Sequence, residues 1–425
     1  MKNVATVFRF RTAPFEDGVK ITGFEGPIGE TLVIPEEIDG KKTRRIADFA
    51  FRDCSELTSV AFPGSVREIG GFSFAGCAAL REVAFSKGLD MIEDYAFYKC
   101  RAITNVALPE SLTDIGAEAF GGCSLGTVRL PSGLEYCGPG WDCEAFEIAD
   151  DGVNLKTIDG VLFDKEGTTL IAYPLARLAA SYAVPDGVQK IGHDAFCGAR
   201  RLESVTTPES LRTIGDSAFM GCDALANASF PDGLTTVGDG AFSGCALGVA
   251  RLPASLEDPG FGWGCEAFEI SDGNDRFRTI DGVLFDKEGK TLVAYPCARK
   301  AKSYAAPENV REIGKDAFYC CDAITSVTLP ASLEIVDVNA FWGCRALESV
   351  TFQEGLRVVR GCAFDACCSL KSAALPASLK NVSRSAFPDG TVLTAPDGSW
   401  AKKWIERKDA PSLLRRLCFW KRFRS

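Results

Sequence analysis

A phenylalanine returns every 23 residues. Phe51, Phe74, Phe97 and Phe120 open the series, Phe196, Phe219 and Phe242 resume it, and Phe318, Phe341, Phe364 and Phe387 close it. Each sits in a variant of one string, seen cleanly in IGAEAFGGC from Ile115 to Cys123. A fixed period of ~20 to 50 residues is the signature of a solenoid, in which each coil packs on its neighbours. The 425-residue length would otherwise suggest two or three globular domains, at ~150 residues each. The repeat overrides that expectation, because a solenoid has no single core that must close.

The coil is legible from Leu57 onward. LTSVAFPGSVREIGGFSFAGC supplies Leu57, Val60 and Phe62, then Pro63, Val66, Ile69, Phe74 and Cys77. The spacing L-x-x-V-x-L predicts a short strand with alternate side chains inward. The proline that follows lacks an N–H and ends the ladder. Leu-x-x-Ile-Gly makes a second extended arm, and Ala-Phe-x-x-Cys a turn or a single helical turn. All apolar positions then face one interior, in a chain of 46% hydrophobic residues.

Eighteen cysteines raise the question of disulfides or zinc. Their phase points to a structural column: Cys54, Cys77, Cys100, Cys123, Cys222, Cys245, Cys321, Cys344 and Cys367 each follow a marker Phe by three residues. Free Cys is among the most buried residue types, so reduced core thiols are expected. Neighbouring coils ~4.8 Å apart would be within reach of a bridge. However, Ala199 holds the same phase, and every coil would compete for one partner. No pair has zinc-site spacing.

A second period overlies the first. GWDCEAFEI with Trp141, Cys143 and Phe146 recurs with Trp263, Cys265 and Phe268, and TIDGVLFDKEG at Thr157 recurs at Thr279, an offset of 122. The chain thus holds a tandem duplication of about five coils. In each copy DGVLFDKEG followed by LIAYP or LVAYP reads as a β-hairpin standing in for one coil, with Gly167 at a turn position that tolerates positive φ. The resulting domains are an N-terminal β cap over residues 1–45, the solenoid over 46–390, a capping helix over 391–410 with Asp397 or Ser399 as N-cap, and a basic tail over 411–425. Residues 401–425 hold nine Lys/Arg against two Asp/Glu.

The pattern L-x-x-V-x-L-P-x-S-L-x-x-I-G-x-x-A-F-x-x-C resembles the BspA-type (Treponema pallidum-type) leucine-rich repeat over about residues 20 to 410. ITNVALPESLTDIGAEAFGGC and ITSVTLPASLEIVDVNAFWGC match with little strain. The resemblance implies an α/β-type solenoid: a right-handed superhelix of short parallel strands joined by turns or single helical turns, with two inserted hairpin coils. It also implies protein–protein interaction, with surface antigens and adhesins among the family's members, and hence a host or cell-surface component as partner and the cell surface as location. The N-terminus carries charges and no continuous apolar core. It does not read as a signal peptide, which favours the cytoplasm and an intracellular scaffold. A monomer is expected.

Catalytic, metal and cofactor residues are not expected. The one histidine, His193, occupies a turn position held elsewhere by Lys315, Ala117 or Asp216, so a general base there is not indicated. Acidic turns at Asp150 and Asp151, and at Asp272 and Asp275, lack calcium-loop spacing and read as Asp-Gly turns. The net charge of −10 gives the body no reason to bind nucleic acid. Positions flanking the inward strand residue are small and neutral (Ser204 and Thr206, Ser326 and Thr328, Ser349 and Thr351), with Arg129 and Arg251 as exceptions. They suggest a smooth docking face. The interaction residues expected are Arg129, Arg251, Trp404, and Arg415, Arg416, Trp420, Lys421 and Arg422 of the tail, where membrane contact would be confined.

Overall fold

Three residues of one coil pair with the same three of the next, and this register turns the 23-residue period into a solenoid. Thr31–Val33, Ser59–Ala61 and Glu82–Ala84 run parallel, with Leu32, Val60 and Val83 aligned. A second row of two-residue strands, Glu68–Ile69, Met91–Ile92, Asp114–Ile115 and Tyr136–Cys137, stacks the same way. The computed structural model describes residues 8–148 and 152–406. Contacts divide the chain into two units, Met1–Leu225 and Ala226–Ser425, and the architecture is a β-solenoid with almost no helix. In the second unit Ser303–Ala305, Ser326–Thr328 and Ser349–Thr351 form the first kind of row. Thr291–Ala294, Glu312–Ile313, Ile335–Val336, Val358–Val359 and Asn381–Val382 form the second.

The third side of each coil is a turn, not a helical turn. Its backbone still bonds to the next coil: the N–H groups of Phe74 and Phe97 donate to the carbonyls of Ala96 and Ala119, both at 2.8 Å. At Gly116 the approach is close, since a Cβ there would collide with the backbone of Asp94, whereas Glu93, Asp337 and Arg360 hold the same phase in other coils. The serine of Pro-x-Ser-Leu also ties coils together. Ser111 Oγ donates to the Leu89 carbonyl at 2.6 Å, Ser210 to Val188 at 2.8 Å and Ser332 to Val310 at 2.6 Å.

The marker rings stack through the interior. In the first unit Phe51, Phe74, Phe97 and Phe120 lie 5.1 to 5.3 Å apart, centre to centre. In the second, Phe318, Phe341, Phe364 and Phe387 lie 4.6 to 5.0 Å apart. Where the duplicated segment interrupts the series, other aromatics take the ring's place. Trp141 packs on Phe120 at 4.9 Å and Trp263 on Phe242 at 4.7 Å. Tyr173 stacks on Phe196 and Tyr295 on Phe318, and each donates its N–H to the next coil's alanine as a marker Phe does. The inserted element has three antiparallel strands where two were expected: Leu155–Ile158 precedes Val161–Asp164 and Thr169–Ala172. Asp159 and Gly160, both at positive φ, make the extra tight turn.

The cysteine column is buried, and its thiols have a partner. Cys77 donates to the Phe51 carbonyl at 3.1 Å, Cys100 to Phe74 at 3.1 Å, and Cys123 to Phe97 at 3.5 Å. The pattern repeats from Cys222 to Phe196, Cys344 to Phe318 and Cys367 to Phe341. One expectation is corrected. Cys321, a column member, is bonded to Cys297, with Cα atoms 4.5 Å apart. Cys297 follows the marker-position Tyr295 by two residues rather than three, so this bridge uses an off-phase partner that the column itself never supplies.

At the start of the chain, Arg9–Phe15 and Gly18–Glu25 form an antiparallel hairpin, and the second strand runs parallel to Lys41–Ile46. Phe24 stacks on Phe51 at 5.7 Å, covering the first marker ring. At the other end Ser399 Oγ accepts the Lys402 N–H at 3.1 Å and caps the helix Trp400–Glu406. Residues 411–425 lie outside the described residues, with Arg415, Arg416, Trp420, Lys421 and Arg422, as do Asp150 and Asp151. Among the described residues no helix is long and apolar enough to cross a membrane.

Candidate interaction surfaces

The strand face holds the small side chains in register: Ser326 beside Ser349 and Thr328 beside Thr351, Ser181 beside Ser204. Their hydroxyls are short and partly used within the fold, as in the 3.1 Å bond from Ser59 to Thr31. Arg129 and Arg251 lie in different units, each on a six-residue strand opposite a glutamate, Glu147 and Glu269. Arg251 is 3.0 Å from Glu269, and both are largely exposed, a pair worth ~0–1 kcal/mol. Arg129, Glu147, Ile148 and Thr157 line a shallow hollow of about 250 Å³. Trp404 is half-buried and packs against the core of the second unit, serving the cap.

His193 is exposed, 3.6 Å from an Asp216 carboxylate oxygen. At the second acidic turn Asp272 and Asp275 face solvent, and the organising group is the buried Asn274. Its amide donates to the carbonyls of Ala254 and Leu256 at 3.0 Å and accepts the N–H of Phe277 at 2.7 Å. Among the described residues no three His, Cys, Asp or Glu side chains converge to hold a metal ion.

The turn corner carries what the strand face lacks. Two residues before the marker Phe the backbone is left-handed in most coils: Phe49 (φ 60°), Phe72 (54°), Tyr95 (58°), Glu118 (50°), Asp194 (51°) and Ser217 (53°) in the first unit, and Asp316, Asn339 and Cys362 in the second. The turn imposes this, because these N–H groups bond across coils, Phe49 to the Gly71 carbonyl at 3.0 Å and Tyr95 to Ala117 at 3.0 Å. Gly, Asn and Asp tolerate such a φ, whereas a bulky side chain is an outlier there. Three successive coils nevertheless place aromatics at it. Phe49 and Phe72 stack at 5.2 Å, Phe72 and Tyr95 at 4.6 Å, and Tyr98 meets Tyr95 edge-on at 5.4 Å. Phe49 is 52% exposed. Arg52 lies 5.8 Å from the Phe49 ring centre and Lys99 4.8 Å from that of Tyr98.

Carboxylates gather at the Tyr95 end. Burial, then Glu118, Asp194 and Asp94, pushes the Tyr95 phenol up to about 12. Burial raises Glu118 above the usual carboxylate range, with Asp142 and Asp194 adding to it and Lys99 opposing. Asp194 is raised by burial and by Asp216, with His193 opposing. The second unit has a smaller aromatic group on the residue after the marker: Tyr319 and Trp342 stack at 4.8 Å, and Phe261 adjoins Tyr319. Reading the sequence for inward and strand-flanking positions missed both groups. The signal was present, since the position two before the marker reads Phe, Phe, Tyr in the first three coils.

A sequence profile described as BspA type Leucine rich repeat region matches six copies, within residues 30–141, 179–260 and 295–394. Among solved structures, a leucine-rich repeat protein from Eubacterium ventriosum shares 20% identity over 93% of this chain and 97% of its own, with a TM-score of 0.50. The pneumococcal vaccine antigen PcpA shares 18% over 94% and 93%, with a TM-score of 0.47. A leucine-rich cell surface protein from Faecalibacterium prausnitzii shares 21% over 97% and 98%, with a TM-score of 0.42. At these identities the likeness is one of fold. No curated protein matches the chain.

Proposed function

The chain belongs to the BspA-type leucine-rich repeat family, and from that premise we propose that it is a non-catalytic protein that recognises a protein partner, in adhesion at a cell or host surface. The observation that carries this reading is the row Phe49, Phe72 and Tyr95. Each of these residues holds a backbone conformation that costs about 1–3 kcal/mol for a bulky side chain, yet Phe49 remains half exposed. A strained aromatic row that opens to solvent at Phe49 favours a recognition role, because aromatic side chains dominate protein interfaces. The Cys297–Cys321 bridge supports the surface setting, since disulfides persist in oxidising compartments. The second reading, an intracellular scaffold, is favoured by the unoxidised thiol of exposed Cys368.

One experiment separates these readings. Intact cells producing the protein are treated with an amine-reactive crosslinker, either membrane-impermeant or permeant, and the protein is blotted. A discrete heavier band with the impermeant reagent is the expected result. A band with the permeant reagent alone would move the protein inside the cell, and no band with either would overturn partner recognition.

A further inference from the structure

The aromatic row of the first unit has an orientation and a polarity, and together they define what it takes. Phe49, Phe72 and Tyr95 lie nearly parallel, with interplanar angles of 9° and 10°. Their faces are therefore turned to one another, and their edges are left for an incoming group. Lys99 lies against Tyr98 at one end, and Arg52 against Phe49 at the other. A sugar ring stacks on an aromatic face, and Phe72 has both of its faces covered by its neighbours. Ring edges carry partial positive charge and favour the faces of other aromatics.

The two ends differ in charge. Near Phe49 the cations are answered: Arg52 pairs with Asp53, and Arg45 with Asp48, Glu68 and Glu93. Near Tyr95 the carboxylates of Asp94, Glu118 and Asp194 act on the ring, and Lys99 is the cation that opposes Glu118. This surplus repels phosphate and excludes a nucleic-acid strand. It attracts lysine or arginine.

Resting on the partner-recognition reading above, we propose that this row docks an extended protein segment with aromatic side chains beside basic ones. The aromatics stand on Phe49 and Phe72, and the cation reaches Glu118 and Asp94. The same turn position elsewhere in the chain takes Asp194, Ser217 and Asn339, so the fold does not require aromatics there.

Tolerance of polar residues at this turn allows a direct test. The full chain is compared with a variant carrying Phe49→Asn, Phe72→Asn and Tyr95→Asn, since asparagine tolerates a left-handed φ. Its melting temperature is expected to stay within about 4 °C of the parent. Probes are synthetic dodecapeptides of alternating Phe and Arg, Phe and Glu, or Ser and Arg, together with cellohexaose, titrated by calorimetry. The Phe/Arg peptide should bind the parent and lose at least about tenfold in affinity on the triple variant, the loss of a hot-spot contact. Glu118→Gln should also weaken it and flatten its dependence on salt. Equal affinity of the triple variant, equal binding of the Ser/Arg or Phe/Glu peptide, binding of cellohexaose in their place, or no peptide binding would each overturn the proposal. Should the triple variant melt early, Phe49→Asn alone carries the same comparison. A crosslinked partner retained by the triple variant sinks this site and leaves partner recognition standing. No crosslinked partner for either chain sinks both.

Discussion

A marker phenylalanine contributes at two levels, through its ring and through its carbonyl. Phe219 is 1% exposed, stacks on Phe196 at 4.7 Å, and its carbonyl accepts the Cys222 N–H at 3.2 Å. Alanine would keep the backbone bond and remove the ring, leaving a cavity that neighbouring coils, fixed by their own ladders, cannot close. Phe219→Ala should therefore cost ~3–5 kcal/mol, read as a lower denaturation midpoint in urea. An unchanged midpoint would contradict the ring's place in the core. This residue was legible in the sequence because burial enforces a period, and a period can be counted. The corner row was less so. Phe49, Phe72 and Tyr95 share the same 23-residue spacing, but nothing in their chemistry says that the backbone beneath them is left-handed, and local propensity argues against it.

At the scale of one coil, the strands, the Pro-x-Ser turn and the Ile-Gly arm follow from the repeat. The bonds that join one coil to the next do not, because a serine hydroxyl or a cysteine thiol reaching back to a carbonyl is a matter of position. The bridge is the sharpest case. Its two positions in the second copy, Cys297 and Cys321, correspond in the first to Leu175 and Ala199 at the offset of 122, so the coil closes without a disulfide and gains one as an addition. The sequence separation it closes, 24 residues, sets a loop-entropy limit of about 3.5 kcal/mol for that gain. Cys297→Ser should lower the unfolding free energy of the oxidised protein by up to that amount and make it insensitive to dithiothreitol, while the parent falls to the same value once reduced. If reductant leaves the parent unchanged, the bridge is absent in solution.

Over the whole chain the buried thiols add up to a response to alkali. Contact with Cys100 first, and burial besides, pushes the Cys77 thiol up to about 12; burial does the same for Cys123, Cys137 and Cys197, and lifts Cys320 to about 11. An unfolded thiol releases its proton near the ordinary value of 9.0. Between that pH and the folded values, the folded chain holds protons that the unfolded chain has given up, so unfolding is favoured as pH rises. The stability these thiols confer is whole below pH 9.0 and declines steadily toward about 12. Because neighbouring coils support one another, ionisation in one coil weakens the packing of the next. Urea midpoints measured at intervals from pH 7 to about 11 should stay flat at first and then fall, and Cys137→Ala should lessen the fall. A midpoint that held level through that range would mean that the cysteine interior is open to water, against the burial that the repeat requires.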